Sequence, residues 1–144
     1  MSEQRTYGSL NRLMEQHQQM EKLSQGLHGT DPERALDRLI LLMKLHERAE
    51  SPVMKAARSS LTREMVTVPE ENWRLLRQLT ADMRGTENPP PDRVDKIKSM
   101  LYDHTIDLGT SIFAHLYLTL NDNEFSEMKS DILKEIASTD TKHW

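Results

Sequence analysis

Three histidines and one glutamate stand where apolar residues belong. His46 and Glu50 lie four apart in the stretch LILLMKLHERAESPVMKAAR, residues 39–58. Around them Leu36, Leu39, Met43, Val53 and Ala57 recur at helical spacings, so all of these side chains share one helical face. His17 completes the series Leu10, Leu13, His17, Met20, and His104 the series Val94, Ile97, Leu101, His104, Leu108. An ionised carboxylate taken into a core without a partner costs several kcal/mol, or its pKa shifts until it is neutral. A metal ion bound by His17, His46, Glu50 and His104 would stabilise all of them at once. Imidazole nitrogens with a carboxylate suit iron, zinc or manganese. An arrangement with no metal is the alternative: Glu50 pairs with protonated His17 or His104 in a buried polar network. Asn72, whose amide both donates and accepts, would fit that network.

These side chains need helices to carry them. The first is expected from Tyr7 to Leu27, with Leu23 also on its inner face and with Gly26 and Gly29 marking its end. Asp31 as N-cap and Pro32 at the first helical position open a second helix running to about Leu61. Pro52 lies inside it and should bend it near Arg48. A third helix is expected from Glu70 to Met83, with Thr67 or Val68 at its boundary and Pro69 in its first turn. Its inner face reads as Asn72, Leu75, Leu76, Leu79 and Met83, and Gly85 ends it. Asn88-Pro89-Pro90-Pro91 reads as a stiff spacer. Asp92 then caps a long fourth helix, 93 to about 120, whose inner stripe continues through Ser111, His115 and Leu118. Asn121-Asp122-Asn123 breaks the chain before a short helix at about 124–138, with Phe125, Met128, Ile132, Leu133 and Ile136 inward. The polar tail from Thr139 to Trp144 is expected to be loose.

The architecture expected is all-α: an up-down-up-down four-helix bundle over about 7–120, with a short fifth C-terminal helix, in a single domain spanning 1–144. In antiparallel neighbours, His17, His46 and His104 lie roughly ten, fifteen and twelve residues into their helices. At about 1.5 Å per residue they can meet in one layer. His115 lies about 16 Å further along the fourth helix and cannot share that layer. His28 and His143 carry no assignment.

Composition narrows the function. The absence of cysteine excludes disulfides, thiolate metal sites, iron–sulfur clusters and cysteine nucleophiles. The net charge of -4, from 19 basic and 23 acidic residues, is interspersed in sign and offers no basic face for nucleic acid. The longest apolar run, Leu39 to Met43, is far too short to cross a bilayer. With no signal-peptide pattern at the N-terminus, a soluble cytoplasmic protein is expected.

The residues also carry a resemblance. HERAESPVMKAAR resembles the second-helix signature of the haemerythrin-like, HHE cation-binding family, where a His is followed four residues on by a Glu. LNRLMEQHQQMEKL resembles that family's first helix with its ligand His, here His17. LYDHTIDLGTSIF resembles its fourth helix, with His104 nine residues before Phe113 of an Ile-Phe pair. The likeness spans roughly Tyr7 to Leu120. Against it, Asn72 follows Glu71 where the family usually has a Glu-His pair. Leu108 stands where a Glu follows the fourth-helix His, with Asp107 one residue early. Gly109 replaces an Asp of related haemerythrins, and Leu76 a further His. The family holds two irons bridged by carboxylates. The resemblance assigns His17, His46 and Glu50 mainly to one of them and leaves the second only His104, so it implies a mononuclear or incomplete iron site.

The function expected is therefore a haemerythrin-like metal-binding domain, without enzymatic activity, that senses or stores metal, oxygen or nitric oxide. Its partners would be a metal ion or a small diatomic ligand. The alternative is a metal-free helical bundle acting as a regulatory or protein-interaction module, with a protein partner or a second copy of itself. A di-metal oxidase would need Glu-x-x-His motifs on two helices, and no such pair is present.

Overall fold

The computed structural model describes residues 8–85 and 88–138, apart from the side chain of Ser9. Those residues are helical between short connections, and no strand occurs among them. In order they form α1 (Gly8–Gln25), a 3-10 turn (Gly26–His28), α2 (Pro32–Ser60), α3 (Arg63–Asp82), α4 (Pro91–Ile106), a π-helical segment (Asp107–Ile112), α5 (Phe113–Thr119) and α6 (Asp122–Ser138). The last residues, from 139 on and including His143 and Trp144, lie outside the described residues.

Local chemistry explains most of the boundaries. The Asp31 carboxylate accepts the Arg34 N–H at 3.2 Å and Pro32 follows it, as expected of the α2 start. Pro52 cannot donate to the Arg48 carbonyl. The Ser51 hydroxyl donates there instead, at 2.8 Å, and α2 runs through the proline to Ser60. Gly85, just past α3, has φ of +86°, a region that favours glycine. At α6 the Asn121 side chain accepts the Glu124 N–H at 2.8 Å while the Glu124 carboxylate accepts the Asn121 N–H at 2.9 Å. These two bonds form a reciprocal capping box.

α1 packs on α2 and α4, and α3 packs on the same two helices, so four rods enclose a common interior; α6 lies against α2 and α1. Apolar side chains fill that interior in two clusters. One joins Leu10 and Leu13 of α1 to Ala49, Val53 and Ala57 of α2, Val66 of α3, Leu108, Ile112, Phe113, Leu116 and Leu120, and α6 through Phe125, Met128, Ile132 and Ile136. The other joins Met20 and Leu27 to the first half of α2, to Trp73, Leu76 and Met83, and to the first half of α4. His17, His46 and His104 fall between these clusters in sequence on their helices, and Glu50 follows Ala49, the first α2 residue of the former cluster.

Several expectations are corrected. α3 begins at Arg63, not Glu70, because Thr62 is extended (ψ 152°) and the helix continues through Pro69, which is buried. Its inner stripe is Val66, Pro69, Trp73, Leu76, Thr80 and Met83. This leaves Asn72 and Leu79 half-buried and turns Leu75 outward. The N-cap of α4 is Pro90 rather than Asp92, which sits in the first turn. Beyond Leu108 the inner stripe is Ile112, Leu116 and Leu120, with Phe113 beside it, whereas His115 is exposed and Leu118 is 81% exposed. The cause is the π segment: the Phe113 N–H bonds the Leu108 carbonyl five residues back, which inserts one residue into the turn and shifts every later side chain. Leu133 of α6 is likewise exposed, and Leu23 half-buried.

Candidate metal centre

His17 is delivered by α1, His46 and Glu50 by α2, and His104 by the last turn of α4. All four are buried. Their potential ligand atoms lie within 4.8 Å of one another. His46 Nε2 is 2.6 Å from Glu50 Oε2 and 2.8 Å from His17 Nε2. The same carboxylate oxygen lies 3.4 Å from His17 Nε2 and 3.3 Å from His104 Nε2. Bonds of roughly 2.0–2.1 Å to a common ion put neighbouring ligand atoms about 2.9 Å apart in an octahedron and about 3.4 Å apart in a tetrahedron. The His17–His46, His17–Glu50 and His104–Glu50 separations are of that size, while the His46–Glu50 contact is shorter and the four atoms together spread over as much as 4.8 Å.

His46 Nδ1–H donates to Gln16 Oε1 at 2.7 Å, so neutral His46 presents a bare Nε2 lone pair to the cluster. That lone pair faces both Glu50 Oε2 and His17 Nε2. A proton on His17 can bridge to His46, and one on His104 can bridge to Glu50. The 2.6 Å contact between His46 and Glu50 still needs a further buried proton. One divalent cation satisfies every one of these lone pairs. Burial, the largest influence, lowers the His17 pKa from 6.5 to about 4 against the opposing pull of Glu50. Burial acts to raise the Glu50 pKa, but the neighbouring His104 and His46 and hydrogen bonds from His104 and His17 outweigh it and hold the carboxyl well below its usual range. Neutral imidazole and ionised carboxylate are the forms that bind metal. His17 Nδ1 has no hydrogen-bond partner among the described residues.

Sequence reasoning missed the wall of the site. The Trp73 ring lies 4.4 Å from that of His104, tilted by 35°, and 5.8 Å from that of His46. Trp73 Nε1–H donates to Glu47 Oε1 at 2.8 Å, and Glu47 is in turn held by Arg77 at 3.1 Å. The signal was present in the spacing 66, 69, 73, 76, 80, which fits α3 only once the helix starts at Arg63. Asn72 does not join the cluster; it lies near Asp107, at the start of the π segment, and acts to lower the pKa of that carboxyl. Burial raises the Asp107 pKa, against the nearby His104. Asp107 is not among the grouped ligands. His28 is exposed beside Asp95 at 3.2 Å, and His115 Nδ1–H donates to the Ser111 carbonyl at 2.7 Å, so neither belongs to the site. No helix among the described residues is long and apolar enough to cross a membrane. Comparison of the chain with protein-family models, with curated proteins and with solved structures gives no match.

Proposed function

We propose that this chain is a haemerythrin-like metal-binding domain, an up-down-up-down bundle in one domain, that holds a single iron-class ion through His17, His46, Glu50 and His104. The observation that carries the reading is the convergence of these four buried ligand atoms within 4.8 Å, with Gln16 fixing the tautomer that turns the His46 lone pair inward. Iron is favoured by the resemblance, while zinc and manganese suit the same donors. Leu108 cannot bind a second ion and Asn72 is a poor iron ligand, which supports one ion rather than a bridged pair. The role is non-enzymatic: cytoplasmic sensing or storage of the metal, or of oxygen or nitric oxide bound to it. Metal analysis of protein purified without chelator tests this. About one equivalent is expected, lost in His46→Ala; two equivalents would overturn the mononuclear reading.

The second reading is a metal-free regulatory or interaction module. Hydrogen bonds linking Glu50 to His17 and His104 favour it. It requires an extra buried proton between His46 and Glu50, and for that reason we place it second. Protein that takes up no iron, zinc or manganese would establish it.

A further inference from the structure

A cleft of about 470 Å³ reaches the ligand cluster from the side where α2 faces α3. Glu50 and His104 lie in its wall, whereas His17 and His46 do not. Trp73 and Leu108 supply apolar surface beside them; arginines at positions 58, 74 and 77 and glutamates at 47, 70 and 71 also line it. The arginines are tied differently. Arg58 reaches Glu70 at 3.3 Å and Arg77 reaches Glu47 at 3.1 Å, so both brace α2 against α3. Among the described residues Arg74 holds only Glu71, of its own helix, through Nε at 3.1 Å and one terminal nitrogen at 2.6 Å. Both partners are about half exposed, at 53% and 52%. The pair is bidentate, but both partners reach solvent and neither is buried, so Arg74 can exchange Glu71 for an incoming carboxylate. Its fork is already arranged for a planar carboxylate.

The centre adds a second attraction. A divalent ion held by neutral imidazoles and one carboxylate keeps net positive charge in a low-dielectric setting, which draws an anion into the cleft. The volume suits a small organic molecule. We propose that this cleft binds a small dicarboxylate. Arg74 exchanges Glu71 for one end of the ligand, the carbon chain lies along Trp73 and Leu108, and the other end faces the metal between Glu50 and His104. This inference rests on the metal-binding reading above.

The test uses the full chain loaded with Co(II), whose visible absorption reports its coordination. Succinate and glutarate are titrated in, with acetate and inorganic phosphate as comparators. A saturable spectral shift is expected for a dicarboxylate, at least tenfold tighter than for acetate or phosphate. Arg74→Gln should weaken it at least tenfold and leave cobalt uptake unchanged. Arg74→Lys, which keeps the charge but loses the fork, should recover only part. Arg84→Gln, whose arginine lies outside the cleft beside Asp37, should behave as wild type. Cobalt uptake with no dicarboxylate response, an equal response in Arg74→Gln, or equal affinity for acetate or phosphate would overturn the cleft assignment and leave the metal site standing. Absence of cobalt uptake would overturn the metal site itself, and this inference with it.

Discussion

Replacing His46 with alanine should abolish the dependence of folding stability on metal. The His46 ring is fully buried, with Nε2 at 2.6 Å from Glu50 and 2.8 Å from His17, and Nδ1 at 2.7 Å from Gln16. A ligand that binds only the folded state stabilises it by about 2.7 kcal/mol when present at about 100 times its dissociation constant. For a chain of 144 residues that corresponds to a rise in Tm of roughly 10 °C. In His46→Ala the shared centre loses its best-oriented nitrogen, and the metal-induced rise should shrink to roughly 2 °C or less at the same ion concentration. Without metal the variant behaves differently. It leaves a cavity and an unpaired Gln16 carbonyl, each destabilising, but it also removes the close contact with Glu50. The net cost should be about 1–3 kcal/mol. Calorimetric melts of chelator-treated protein, with and without added iron, zinc or manganese, separate the two effects. A variant that keeps the full metal-induced rise would refute the ligand role of His46. A wild type that melts identically with every ion would refute the centre.

Three further outcomes follow from the same geometry. Because the folded His17 pKa lies below its unfolded value, the unfolded chain binds a proton that the folded one refuses as pH falls from 6.5 towards 4. Metal-free protein should therefore lose about 2 kcal/mol between pH 7 and pH 5 in denaturant titrations. Glu50, whose pKa is also lowered, adds a further loss below about pH 4.5; His17→Leu should remove the first phase and leave the second. Gln16→Leu deletes the acceptor that orients His46 and should weaken metal binding about 10–100-fold in competition with a chelating dye, without abolishing it. Trp73 stacks on His104, so metal addition should change tryptophan fluorescence, and Trp73→Phe should remove that change although Trp144 remains; an unchanged response in Trp73→Phe would contradict the packing.

The helices and the polar layer were legible in the sequence because both depend on local spacing. His17, His46, Glu50 and His104 each interrupt an apolar series at helical period, and a polar residue at such a position has to meet something inside the fold. Caps such as Asp31 were legible for the same reason, since a cap is satisfied within one turn. The start of α3 was not. Pro69 is a strong local signal for a helix beginning, but the burial of Val66 and Pro69 carries the helix back to Arg63. That shift turned Trp73 inward and put Asn72 beside Asp107. The π segment was also hidden, since it changes register without changing composition. Gly109 within it lies where an added Cβ would come within 3.4 Å of Met14 of α1, a close approach between two helices that are far apart in sequence.

The order of residues by itself determined that the chain is helical and that three imidazoles and a carboxylate face inward, because helical period and the cost of burying charge act along a single element. Only the packing of α1, α2, α3 and α4 decided that those groups meet at one oxygen of Glu50, that Trp73 walls them, and that a cleft reaches them from one side. Distances between helices are set by side chains from all of them together, and no one segment of the sequence encodes that sum.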